Sequence, residues 1–280
     1  MTFGVSKCLF GLAIAAFLFA PTPGSRAIAA DATARDIAKL LFNAAPGTHP
    51  TLRGQNLSRL DLANLDFKGA DLRSANFFGA DLSGANLSGT NLEGTNLDRV
   101  TLIGTRLDGA RLDNASLMRP STSQGLVMLA SEAPSLKGSS LRSVKFFGTF
   151  TGADFTGADL TDSVCAPTSK TGFIEHIWRT DFTSANLAGA TLTRADMTRA
   201  NLSFTNLKGA VLRDVILVDA DLSGADLTGA DLSGANLSGA DLTNANVTDA
   251  NLEGAKLHNV TGFDSLKGAA FARNATKAVR

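Results

Sequence analysis

A five-residue period runs through most of this chain, and it excludes the ordinary secondary structures. Leucine or phenylalanine returns at every fifth position, with alanine or threonine two places earlier, as in Ala80-Asp81-Leu82-Ser83-Gly84-Ala85-Asn86-Leu87. Five matches neither the roughly 3.6 residues of a helical turn nor the two-residue alternation of a long strand. The backbone must therefore repeat one short extended step followed by a bend. The central apolar residues begin Leu52, Leu57, Leu62, Phe67, Leu72, Phe77, Leu82 and continue to Leu117 without a miss. A middle stretch reads Leu136, Leu141, Phe146, Phe150, Phe155, Leu160, losing one residue between Phe146 and Phe150. From Phe182 to Leu257 the phase is unbroken again. Two interruptions, near 118–135 and 166–180, carry Pro120, Pro134, Pro167, the adjacent Val127-Met128 and the single tryptophan, Trp178.

Side-chain chemistry within the unit gives its geometry. Positions two apart on an extended backbone share a face, so the Leu centre and the Ala before it point together into a core. The other positions point outward. They hold Asp or Asn before the centre, Ser or Thr after it, and then often Gly, which tolerates the positive φ of many tight turns. Alanine suits the inside because a bulkier residue would overfill a narrow, densely packed column.

The run Ala220-Asp221-Leu222-Ser223-Gly224-Ala225-Asp226-Leu227-Thr228-Gly229 resembles the tandem A(D/N)LXX motif of pentapeptide repeat proteins, and the likeness extends over about residues 50 to 260. It implies an all-β solenoid, a right-handed quadrilateral β-helix with roughly twenty residues per coil, closed by short helical caps and interrupted by two inserted loops. Residues twenty apart should then stack one strand spacing apart, about 4.8 Å. That spacing places Arg194 beneath Asp214 and Arg199 beneath Asp219, and gives Arg73, Glu93 and Asp113 one column. It also stacks Asp61 on Asp81 and Asp221 on Asp241, and close like charges are unfavourable. Stacked carboxylates are a conceivable calcium site; a solvated acidic stripe is the plainer reading.

Both ends differ from the repeats. Lys7 precedes an apolar run from Leu9 to Ala20, and Pro21 then leads to Ala27-Ile28-Ala29, an A-x-A pattern. Residues 1–29 read as a secretory signal peptide cleaved near Ala29. About a dozen apolar residues fall short of the roughly twenty needed to span a bilayer, so no transmembrane segment is expected after cleavage and the location is periplasmic or secreted. Residues 30–49 form an N-terminal cap in which Ile37, Leu40 and Leu41 recur at helical spacing. Residues 50–262 are the repeats. Residues 263–280 contain Phe263, Leu266 and Phe271 before a basic tail, and a C-terminal helix covering the last coil is expected. Some pentapeptide repeat proteins dimerise through such a terminal element, so the resemblance also admits a homodimer at this end.

Catalytic chemistry is sparse. Cys8 lies in the signal segment, leaving Cys165 alone where a repeat centre is due, a place for packing. His49, His176 and His258 share no metal-ligand spacing. Cys165, Glu175 and His176 could be sketched as a catalytic set, an enzymatic alternative supported by proximity in sequence only. No cofactor is expected. The chain carries 26 basic and 26 acidic residues, and removal of the signal segment takes Lys7 and Arg26 with no acid. That near-neutral balance argues against the second alternative, an acidic rod imitating DNA to bind a topoisomerase, and against a nucleic-acid partner. What remains is an exported, non-enzymatic scaffold for an unidentified protein partner. Its candidate contacts are Phe78 and Phe147, which stand where Ser or Thr is usual, Phe173 and Trp178 in the second interruption, and the outward Val211, Ile216 and Val218.

Overall fold

The computed structural model describes residues 32–45, 47–125, 129–166 and 179–279. Residues 1–31, with the expected signal segment, and Phe173, Glu175, His176 and Trp178 lie outside the described residues. Among those described, no helix is long and apolar enough to cross a membrane.

One repeat shows why the unit has five residues. In Ala220 to Gly224 every backbone N–H has its own acceptor. Ala220 donates to Leu217 O and closes the preceding turn (3.1 Å), while Asp221 donates to Ala200 O in the coil before (3.0 Å). Leu222 and Gly224 donate to Asp241 O and Thr243 O in the coil after, both at 2.8 Å. Ser223 would be left over, and its N–H donates instead to the Asp221 side chain, Asp221 Oδ1, at 2.9 Å. A donor held away from water without a partner is costly, so the Asp or Asn before each centre completes the set at the partly buried turn. The acidic stripe is thus a row of turn caps.

Successive coils pair in parallel, and four ladders run side by side. Face 1 joins Thr51, Asp71, Asn91 and Arg111; face 2 joins Asn56, Asn76, Asn96 and Ser116; face 3 joins Asp61, Asp81, Thr101 and Ser121; face 4 joins Asp66, Asn86, Arg106 and Ser135. Four ladders with starting points five residues apart make a square cross-section of twenty residues. Inside it, Leu57, Leu62, Leu72, Leu82 and Leu87 are fully buried, as are alanines such as Ala70 and Ala80.

Where the sequence period breaks, the ladders continue. Arg106 pairs with Ser135 at a separation of 29 residues, Ser135 with Asp154 at 19, and Thr149 with Asp181 at 32, before twenty is restored from Asp181 to Asn201. The offset changes between Ser121 and Ser135 and between Val164 and Asp181, and the ladders continue on both sides, so the core stays continuous. At this level strand β1 (Ser116–Met118) pairs in register with β2 (Lys145–Phe147). Phe146, Phe150, Phe155 and Phe182 fill the core here, with Phe150 stacked on Phe182 at 5.5 Å and Phe146 edge-on to Phe150 at 5.4 Å. Large rings occupy the volume where the short Phe146-to-Phe150 step disturbs the leucine lattice.

The N-terminal end is closed by helix α1 (Ala34–Asn43), which buries Ile37 and Leu41. Thr33 and Asp36 form a capping box: Asp36 N–H donates to Thr33 Oγ1, and Thr33 N–H returns to Asp36 Oδ2 at 3.1 Å. At the other end the expected C-terminal helix is replaced by one more, wider coil. Thr261, Lys267, Arg273 and Val279 pair with Asp241, Asn246, Asn251 and Lys256, so each side takes six residues. Each of the first three sides turns through a short 3-10 segment, Phe263–Ser265, Ala269–Phe271 and Ala275–Lys277. The ladder offers this segment hydrogen bonds on every side, which an isolated helix laid across the end would not receive.

Candidate partner-binding face

Face 2 carries several outward apolar side chains. On it the positions just after the centre carry Phe78, then Asp98, Met118, Phe147, Ala166, Thr198 and Val218 in ladder order; the positions just before it include Val164 and Ile216. Met118 and Phe147 are direct neighbours, and Lys145 pairs with Val164. Ile216 is 38% exposed, and Phe78, Met118, Val164 and Val218 are half-buried. Alternation on a strand is the reason for this grouping: residues flanking a buried centre must both face outward.

The structure separates some of the sequence candidates. Val211 belongs to face 1, between Thr191 and Asp231, one corner away from Ile216. Phe147 is a correction. It is only 8% exposed and therefore packed rather than presented, with the Arg119 guanidinium 5.8 Å from its ring centroid. Arg99 lies similarly over Phe78, at 5.7 Å. Guanidinium groups over aromatic faces are favourable and leave a mixed, amphipathic surface. Two exposed aromatics escaped the sequence reading, Phe42 (84%) on α1 and Phe204 (68%) on face 3. Phe204 was legible as a bulky residue where the turn takes a left-handed φ, here 57°.

Charges flanking the face are paired rather than clustered by sign. Arg194 does not choose Asp214. It forms a bidentate pair with Asp162, Nε to Oδ1 and NH2 to Oδ2 both at 2.7 Å, because the 32-residue offset brings that carboxylate beside it. Arg73, Glu93 and Asp113 do share one column, but Arg73 pairs along its own face with Asp71 at 2.6 Å, and Arg111 approaches Glu93 at 4.0 Å. Asp61 and Asp81 do stack, as do Asp221 and Asp241. Their carboxylates accept from the N–H two residues on, Asp81 from Ser83 at 2.9 Å and Asp241 from Thr243 at 2.8 Å, which offsets the repulsion. Among the described residues no group of His, Cys, Asp or Glu is arranged to hold a metal ion.

Asp231, on face 1 beside Val211, is the most perturbed carboxylate that remains ionised. Burial would raise its pKa, but Arg213 (2.6 Å), Ser233 and Asn251 (3.0 Å) all donate to it and bring it down from 3.8 to about 2. Cys165 is the opposite case. It is fully buried, and desolvation pushes its thiol far above the ordinary range, so little nucleophilic thiolate forms at neutral pH. Thr180 Oγ1 donates to its carbonyl at 2.8 Å, fixing the strand end.

Among solved structures, the chain is similar to HetL, a pentapeptide repeat protein involved in heterocyst differentiation regulation from the cyanobacterium Nostoc sp. Strain PCC 7120, at 29% identity over 78% of this chain and 89% of HetL, with a TM-score of 0.43. It is similar to the pentapeptide repeat protein Rfr23 from the cyanobacterium Cyanothece 51142 at 30% identity, over 47% of this chain and 90% of that one, with a TM-score of 0.38. QnrB1, a plasmid-mediated fluoroquinolone resistance protein, is 20% identical over 79% of this chain and 90% of its own, with a TM-score of 0.40. No curated protein matches the chain. The family model for pentapeptide repeats matches eight copies, at residues 51–84, 80–118, 179–214 and 220–259. Those spans cover more than half of the chain and lie in the regular coils, so on repeat, coil and match alike the chain belongs to the pentapeptide repeat family, whose members fold as right-handed quadrilateral β-helices.

Proposed function

We propose that this protein is an exported, non-enzymatic scaffold that holds a protein partner against face 2. The observation that carries the reading is the row of outward apolar residues along one face, Phe78, Met118, Val164 and the pair Ile216 and Val218, on alternate rungs of its ladder with the Asp196 and Thr198 rung between Val164 and Ile216. Apolar side chains interspersed with polar ones on a rigid support suit a protein interface, and a β-helix fixes these side chains without further ordering cost. Pentapeptide repeat proteins generally serve as structural or binding proteins. The buried, protonated Cys165 supports packing in preference to catalysis. Export rests on the basic residue, apolar run and A-x-A pattern of residues 1–29. A DNA-imitating role is disfavoured by charge, since Asp226 and Asp231 are neutralised by Lys208 and Arg213 and the totals of acids and bases are equal.

The test is capture of partners from the exported fraction by the protein and by an Ile216→Asp, Val218→Asp double variant, with Lys208→Gln on face 4 as control. Partner yield should fall at least tenfold in the double variant and stay level in the control. Equal capture by a double variant that keeps its β-rich circular dichroism would remove face 2 from consideration. Retention of the native protein in the cytoplasm would remove the export part alone.

A further inference from the structure

The last coil leaves a hole in the core. In the coil before it, the four central positions hold Leu242, Val247, Leu252 and Leu257. Above the first three of these, the residues following Thr261, Lys267 and Arg273 are Gly262, Gly268 and Asn274, so no apolar side chain continues the column there. All three adopt left-handed backbone, with φ of 74°, 73° and 57°. A Cβ at Gly262 would collide with the backbone of Thr243, and one at Gly268 with Thr248, so these two sites are closed to side chains. The 3-10 turns then frame a largely enclosed cavity of about 290 Å³ that reaches down to Leu227 and Leu232. Its upper wall is made by Phe263, Leu266, Ala269, Ala270, Ala272 and Ala275, and no residue lining it is polar.

A void lined by aliphatic and aromatic side chains, with little polar surface, holds water poorly, and left empty it forfeits packing on every side. An apolar occupant restores that packing. A cavity of about 150 Å³ accepts one benzene, so this one has room for roughly twice as much, on the order of ten carbons. Its walls come from two successive layers of apolar centres, Leu227, Leu232 and Leu237 below Leu242, Val247, Leu252 and Leu257, which gives a hydrocarbon chain contacts at more than one level. The last coil is also cationic: residues 261–279 carry Lys267, Arg273 and Lys277 against Asp264, outside the cavity lining, with Lys277 paired to Glu253 at 2.8 Å and Arg273 Nε donating to Asp249 O at 3.0 Å.

We infer that the C-terminal end of the β-helix binds the hydrocarbon chain of a medium-chain carboxylate, its tail in the cavity and its head at the cationic last coil. This site is independent of face 2, and failure of either leaves the other standing.

The experiment titrates the full chain with decanoate below its micellar concentration, following heat by calorimetry and Tm by circular dichroism. One decanoate should bind per chain, with Tm rising as its concentration rises, because a ligand selective for the folded state stabilises it. Acetate, which lacks the tail, should do neither. Ala272→Leu fills the cavity and should weaken decanoate at least tenfold while leaving the ligand-free Tm equal or higher; Ala275→Leu serves the same purpose should the first variant fail to fold. Absence of saturable decanoate binding, or undiminished binding by either folded filling variant, would overturn the site. Decanol binding as tightly as decanoate would overturn the role given to the cationic last coil.

Discussion

Glycine at the turn does two separate jobs in this chain, and two neighbouring positions distinguish them. Gly224 and Gly229 share nearly the same left-handed φ, 67° and 68°. Around Gly229 an added Cβ would meet nothing within 4 Å, whereas at Gly224 it would lie 2.6 Å from Phe204 Cδ1 in the coil before. Gly229→Ala should therefore cost only the left-handed strain, about 1 kcal/mol. Gly224→Ala should cost more, because the Phe204 ring must also leave its seat. Urea unfolding of both variants, and of Gly224→Ala combined with Phe204→Ala, provides the check; the added cost should vanish in the combination. The chain tolerates side chains at many such turns, among them Arg59, Asn64, Ser184 and Asp214, so left-handed backbone by itself does not demand glycine here. Contact with the coil below does.

At the scale of elements, α1 depends on its first residue. Loss of the Thr33 hydroxyl removes one half of the capping box, and Thr33→Ala should destabilise the cap by about 1 kcal/mol. Hydrogen exchange should show the loss in α1 and the first coil while the amides around Leu222 keep their protection. The ladders carry a pH dependence whose sign follows from Asp231. Its folded pKa of about 2 lies below the ordinary 3.8, so the folded chain binds this proton more weakly than the unfolded chain. The resulting stability is complete above about pH 4 and is lost as pH falls toward 2. Asp154, Asp159, Asp226 and Asp241 are shifted in the same direction. Asp231→Asn should lower Tm at pH 7 and flatten the fall in Tm between pH 4 and 2, measured by thermal scans at each pH.

For the whole molecule, stability is shared between neighbouring coils, so a defect matters most where coils lie on both sides. Leu222→Ala, in a fully buried interior layer, should cost about 2–5 kcal/mol, and Leu257→Ala distinctly less, since Leu257 is already 8% exposed and borders the terminal cavity. Chemical denaturation of the two variants tests the order. The interior coils were legible in the residues because each pentapeptide states its own geometry: a centre to bury, an Ala beside it, an Asp or Asn to cap the turn. The C-terminal coil was not legible. Leu266, Ala272 and Ala278 still face the core, but at six-residue spacing, and a segment with 3-10 turns and a fading apolar signal reads equally as a helix.

Sequence alone determined the period, the inward and outward residues and the family, since all three follow from local backbone geometry repeated many times. Tertiary structure decided which outward residues share a face, that Phe147 is covered, that Arg194 meets Asp162, and that the column ends in a cavity. Those outcomes depend on the number of residues between stacked positions, 19, 20, 29 or 32, and only the closed ladder of hydrogen bonds sets that number at the irregular corners.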